Sequence, residues 1–150
     1  MTRLRSRAAL MAGGSPDDVE AAFYEALQRA DLDLLMGCWA DDEDIVCVHP
    51  GGARLTGALA VRAAFEGMLS QGPVHVKPVQ VHRLTEMTSA VHSVLEQVEV
   101  MLPDGRHLAT VLATNVYHKT PQGWRMVAHH ASAAAPDELH SAQAQRAVLH

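Results

Sequence analysis

Apolar residues recur at three- and four-residue spacing through Val19, Ala22, Phe23, Ala26, Leu27 and Ala30, which writes a single stripe along a helix. Its start has a mechanism. Ser15 can cap, Pro16 fits the first helical position where an N–H has no partner anyway, and Asp18 supplies the acid of a capping box. The stripe ends near Asp31, and a second, shorter helix follows from Leu32 to Trp39. Asp41-Asp42-Glu43-Asp44 then breaks the pattern, because charges this dense favour a solvated loop. Ile45 to His49 is a β-branched run stopped by Pro50-Gly51-Gly52, a tight turn into Arg54-Leu55-Thr56, so a small hairpin is expected. Helical spacing returns from Ala58 to Ser70 through Val61, Phe65, Met68 and Leu69, and Gly72-Pro73 stops it.

Beyond that stop the period changes from helix to strand. Val74 to Leu84, Thr88 to Leu102, His107 to His118 and Trp124 to Ser132 read as four successive strands, joined by tight turns such as Pro103-Asp104-Gly105 and Pro121-Gln122-Gly123. Strands joined this closely make an antiparallel meander. Helices first and a meander after them give an α+β fold with the helices on one face of the sheet. The other face is not written as a wet one: Val91, Val94, Leu95, Val111, Leu112, Ala113 and Val116 put apolar groups on both sides of their strands. A homodimer built sheet against sheet is the expected cover.

Composition bounds the function. A chain of 150 residues suits one domain, expected over 15–135 with flexible tails at 1–14 and 136–150. A net charge of -5 offers no basic footprint, so a nucleic-acid partner is not expected. Arg3, Arg5 and Arg7 before Ala8 to Gly14 faintly suggest a leader, but the apolar stretch is short, and no apolar run reaches the roughly 18 residues of a membrane span. The two cysteines, Cys38 and Cys47, sit in no metal or redox spacing and read as free thiols of a cytoplasmic protein. Ten histidines invite a metal reading, yet there is no H-E-x-x-H and the adjacent His129 and His130 diverge from a regular strand, so no metal is expected. Dinucleotide, P-loop and nucleophile-elbow motifs are also missing, which leaves no cofactor.

Candidate chemistry lies on the strands. Side chains alternate, so His129 and Ala131 share one face and His130 and Ser132 the other; one histidine faces a pocket, and a bulge would decide which. Glu96 stands in an apolar strand, where a carboxylate is costly to bury unless paired or protonated, and the raised pKa that burial brings suits proton transfer near neutrality. The alternative for Glu96 is a salt bridge to Arg125 or Arg106. Asn115 and Tyr117 share a face of the run from His107 to His118 and could hold a ligand carbonyl or hydroxyl. His49 would sit near the mouth of such a pocket, with Trp39, Phe65 and Met68 as apolar walls or plain core.

These residues resemble a known family. Trp39 before the acidic loop, Val48-His49-Pro50-Gly51-Gly52, Leu55-Thr56-Gly57, Ala113-Thr114-Asn115-Val116-Tyr117, and Gly123-Trp124-Arg125-Met126-Val127 followed by His129-His130-Ala131-Ser132 are similar to the SnoaL-like branch of the nuclear-transport-factor-2-like superfamily. That superfamily also includes ketosteroid isomerase and the association domain of calmodulin-dependent kinase II. The resemblance implies a cystatin-like cone: a curved antiparallel sheet wrapped around three N-terminal helices, with an internal pocket and dimers formed through the sheet. The kinase association domain carries its pocket arginine at the position of Ala131, which implies that His129 faces in. Ketosteroid isomerases place an aspartate base and a tyrosine with a protonated acid in the pocket, a set not matched residue by residue here, where Tyr24 is the tyrosine of the early helices. The function expected is proton transfer by His129 or Glu96 next to the carbonyl of a small apolar ligand, without cofactor, as in an isomerase, cyclase or dehydratase. A non-catalytic binding or association module is the other reading. A His129 base would carry the ordinary imidazole pKa of about 6.5.

Overall fold

A computed structural model describes residues 2–11 and 13–135 of the chain, with side chains from residue 5 onward. In chain order the elements are α1 (Thr2–Met11), α2 (Pro16–Arg29), α3 (Leu32–Cys38), β1 (Val46–Val48), β2 (Leu55–Thr56), α4 (Ala58–Leu69), β3 (Val76–Thr85), β4 (Ser89–Leu102), β5 (Gly105–Thr120) and β6 (Gly123–Ala133). Ser15 caps α2 as its sequence position requires, its Oγ accepting from the Asp18 N–H at 3.1 Å. The helix closes on Ala30, held left-handed at φ 53° with its N–H turned back to the Ala26 and Leu27 carbonyls. Asp31 immediately caps α3 by accepting from the Leu34 N–H at 3.1 Å. Both caps fix the rotation of α2, which matters because α2 carries Glu20 and Tyr24, two of the polar groups described below.

The first tail departs from expectation. Residues 2–11 form a helix rather than a solvated tail, and Leu10 is buried against the core. Polar contacts hold it there: Arg125 Nη2 donates to the Leu10 carbonyl at 3.3 Å, Ser6 Oγ donates to Glu25, and the Trp124 N–H donates to the Gly13 carbonyl at 2.7 Å. A seven-residue run such as Ala8 to Gly14 has too little periodicity to announce a helix whose stability comes from docking. The expected tail at 136–150 lies outside the described residues.

One mixed sheet of six strands has the order β2-β1-β6-β5-β4-β3. The four long strands form the antiparallel meander expected, but β1 joins β6 in parallel, with Cys47 opposite His129 and Val48 opposite His130. This corrects the all-antiparallel sheet. No hairpin connects β1 to β6, so nothing forces opposite directions, and the connection through α4 leaves β1 free to run with β6. Two bulges bend the sheet. Val116 pairs with Ala128 while Tyr117 pairs with Met126, so Val127 is the extra residue and both Met126 and His129 turn inward although they are three apart. On β3 the pairing steps from Pro78 to Gln80, leaving Val79 as the extra residue beside a proline that has no N–H to give.

The inner face of the sheet carries Ala90, Val94, Ala113, Met126 and Ala131 as apolar residues, all buried beneath Phe23 and Leu27 of α2 and Val61 and Phe65 of α4. Interleaved with them on the same face, and equally buried, are His92, Glu96, Asn115, Tyr117 and His129. The outer face presents Val91, Leu112 and Val116 half-buried, with Leu95 buried between its neighbours.

Gly123 opens β6 at φ 107°, and a Cβ there would run into the Gly13 backbone. Gly123→Ala should therefore cost about 2 kcal/mol or more and loosen α1 first. Urea unfolding followed by circular dichroism checks this; an unchanged midpoint would contradict the docking of the α1 connection on β6.

Candidate functional site

Glu20 and Tyr24 stand one turn apart on the buried side of α2, and each meets a different pair of residues across the interior. Tyr24 donates its hydroxyl to Glu96 Oε2 at 2.5 Å, and its oxygen accepts from Asn115 Nδ2 at 3.1 Å. The Asn115 Oδ1 in turn lies 2.5 Å from Nδ1 of His129. Four side chains from α2, β4, β5 and β6 are thus strung on one hydrogen-bonded chain, Glu96 at one end and His129 at the other. Register makes this possible: His92 pairs with Asn115 and Glu96 with Val111 on β4 and β5, while Asn115 pairs with His129 on β6.

Both ends of the chain lie on the wall of one cavity of about 250 Å³. Its remaining lining is nearly all apolar and includes Phe23, Phe65, Met68, Val98 and Val111, with His49 as the third titratable group. In this setting burial pushes the Glu96 carboxyl up from 4.5 to about 7; the Tyr24 hydrogen bond opposes the rise and the Glu20 charge adds to it. Burial pushes His129 the other way, from 6.5 to about 3, helped by His49 and His130 nearby. The imidazole is therefore neutral near pH 7, and the ordinary pKa expected for His129 is corrected. Burial also lowers His49, and it raises the Tyr24 phenol, with the Glu96 charge as the next cause.

The expected site residues separate into three groups. Glu96, His129, His49, Phe65 and Met68 line the cavity, and Asn115 stands behind it as the link to Tyr24. Trp39 is buried in the core, bridged to Met126 and packed on Phe65 at 6.3 Å between ring centroids, without reaching the cavity wall. Tyr117 also misses the wall: its hydroxyl donates to Glu20 Oε2 at 3.2 Å. His130 is exposed on the outer face opposite Thr114, so it cannot serve as a ligand contact inside the cone; the Val127 bulge lies before both histidines and leaves their alternation intact. The salt-bridge alternative for Glu96 does not form, since Arg106 pairs with Glu99 at 3.1 Å and Arg125 turns to backbone carbonyls. His49 carries a further contact, its Nε2 lying 3.7 Å from Cys47 Sγ.

Tyr24 and Glu20 are the polar residues whose roles were not foreseen. Their signal was present: both fall inside the apolar stripe of α2, between Val19, Phe23 and Leu27, where solvent cannot reach a polar atom. Glu20 is satisfied by His92 Nδ1 at 2.6 Å and by Tyr117. Asp17, Glu20 and His92 bring possible metal-ligating atoms within 4.8 Å of one another. Arg83 already neutralises Asp17 at 2.8 Å and His92 already occupies Glu20, so these groups are partners of each other.

Comparison with known proteins identifies the family and the fold. The sequence profile of the SnoaL-like domain matches residues 17–136. No curated protein matches. Among solved structures, a domain from Thiobacillus denitrificans, provisionally named a calcium/calmodulin-dependent protein kinase type II association domain, is 34% identical over 81% of this chain and 96% of its own, with a TM-score of 0.72. A protein of the nuclear-transport-factor-2-like family from Streptomyces avermitilis, provisionally named a dehydratase, is 27% identical over 77% of this chain and 91% of its own, with a TM-score of 0.69. A Caulobacter vibrioides protein with a cystatin-like fold, 18% identical over 87% of this chain and 94% of its own at a TM-score of 0.71, shares the architecture. With its profile match running from α2 through β6, the chain belongs to the SnoaL-like domain family.

Proposed function

We propose that this protein moves a proton next to the carbonyl of a small apolar compound held in the cavity, without a cofactor, and that Glu96 is the base. The observation that carries this reading is a carboxyl raised to about 7 on the wall of an apolar cavity. A general base works best when its pKa lies near the operating pH, because it is then both ionised and basic. His129 fails that test. An imidazole pushed to about 3 is ionisable only at a cost that makes it a poor proton acceptor, so His129 positions the ligand. The cavity lies just below the range of roughly 300–1,000 Å³ usual for ligand sites, which favours a compound of about one ring. The provisional dehydratase relative is consistent with this class of chemistry. A kinase association domain as another relative supports assembly through the sheet, and we take the half-buried apolar residues of the outer face as the surface of a homodimer. Free Cys38 and Cys47 are consistent with a reducing, cytoplasmic setting.

Turnover of a carbonyl substrate should rise with pH through about 7, since the carboxylate is the active form. Glu96→Gln should then remove about two to four orders of magnitude in rate, whereas His129→Gln, which only displaces a ligand-positioning hydrogen bond, should cost about tenfold. Steady-state kinetics on enolisable ketones and aldehydes measures this. A Glu96→Gln protein with full turnover would assign the chemistry elsewhere.

The same ionisation bears on stability. A carboxyl raised from 4.5 to about 7 by folding contributes stability that is present below 4.5 and lost as pH rises through about 7. Glu96→Gln does not ionise, so its stability relative to the parent should improve between pH 4.5 and about 7 and stay level above. Denaturation at a series of pH values reads the difference, and a difference that is flat across that window would contradict the shift. Sedimentation equilibrium should report a mass near twice 16.2 kDa for the dimer; a single monomeric species at micromolar concentration would overturn the sheet-to-sheet interface.

A further inference from the structure

The chain from Glu96 to His129 has a direction, and the direction decides which hydrogen-bonding group a ligand must bring. An ionised Glu96 can only accept, so the one hydroxyl proton of Tyr24 is committed to it at 2.5 Å. The Tyr24 oxygen is then the acceptor for Asn115 Nδ2 at 3.1 Å. That contact orients the Asn115 amide and turns its Oδ1, which can only accept, toward His129. Nδ1 of His129 must therefore carry the proton across the 2.5 Å contact. A neutral imidazole has a single N–H, so Nε2 is left with a bare lone pair on a residue that lines the cavity.

The charges around the cavity narrow the ligand further. Among the described residues, no lysine or arginine lines it. Its titratable groups are Glu96, His129 and His49, and burial lowers both imidazoles. A carboxylate or phosphate entering here would face Glu96 with no counter-charge, in walls built from Phe23, Phe65, Met68 and valines. A ketone or ether oxygen would meet the lone pair of Nε2 with a lone pair of its own.

Resting on the cavity reading above, we propose that the site selects an uncharged ligand bearing a hydroxyl, which donates to Nε2 of His129, and rejects anions and ligands that can only accept. For a proton-transfer reaction this names the substrate class: a neutral hydroxylated carbonyl compound, anchored by its hydroxyl at His129 with an acidic C–H toward Glu96. Tyr24 is the positioning residue, because it converts the charge of Glu96 into the tautomer of His129.

The test needs no turnover, so its outcome is separate from that of the catalytic reading. Protein labelled with ¹⁵N-histidine is observed by long-range ¹H–¹⁵N correlation at about pH 8, where Glu96 is ionised, and titrated with phenol, anisole and benzoate. The expected result is a His129 ring protonated at Nδ1 and bare at Nε2, an Nε2 signal that responds to phenol, and phenol binding at least about tenfold tighter than anisole or benzoate. In Tyr24→Phe the chain is cut, and the preference for phenol over anisole should fall to nearly nothing. A proton on Nε2 in the unliganded protein, a phenol response absent or matched by anisole, or tighter binding of benzoate would each overturn the proposal. The tautomer is read in the unchanged protein, so the proposal stays open to refutation even where Tyr24→Phe does not fold.

Discussion

Placing the carboxyl of Glu96 in an apolar interior is the constraint around which the rest of the site is organised. A buried carboxylate without a partner is among the most costly groups a fold can hold, and among the described residues no lysine or arginine lies on the cavity wall to share the burden. The chain answers with a single strong donor, the Tyr24 hydroxyl, and with a pKa lifted to about 7, so that near neutrality the group is divided between its charged and uncharged forms. A second carboxylate, Glu20, one helical turn from Tyr24, keeps that balance high because its charge opposes ionisation of Glu96. The two acids are held apart by having separate partners, Tyr24 and Asn115 for one, His92 and Tyr117 for the other.

Each partner arrives through backbone geometry. The Ser15 and Asp31 caps fix where α2 begins and where α3 takes over, and this sets the turn on which Glu20 and Tyr24 point into the sheet. The β4–β5 register sets His92 beside Asn115, and the Val127 bulge lets β6 present both Met126 and His129 to the interior. Parallel pairing of β1 with β6 carries the chain toward His49, whose ring lies 6.3 Å from that of His129. The site thus uses side chains from α2, from three strands and from His49 just beyond β1, none of which would find the others without the sheet.

Much of the fold was legible. The period of three and four residues in α2, the alternation in the four long runs and the Pro-Gly turns between them follow directly from local rules that tertiary packing did not override. The assignment of Glu96 to the interior and of His129 rather than His130 to the pocket followed from alternation and resemblance. What escaped was nonlocal. Helix α1 depends on docking against α2 and β6, and the parallel β1–β6 pairing joins residues more than eighty positions apart, a contact that no spacing announces. Tyr24 was visible only as a polar residue in an apolar stripe; its meaning required knowing that Glu96 and Asn115 would converge on it. Tyr117 and Trp39 were drawn toward the site by residue type, whereas the register places one against Glu20 and the other in the core.

The ionisation of Glu96 is the quantity that decides the account, and it can be read directly. Following the side-chain carboxyl carbon of Glu96 by ¹³C NMR through a pH titration of the folded protein should give a midpoint near 7, far above that of an exposed glutamate. A midpoint near 4.5 would mean that Glu96 is hydrated or paired in solution, and the cavity would then hold neither a base tuned to neutrality nor a reason for the chain that ends at His129.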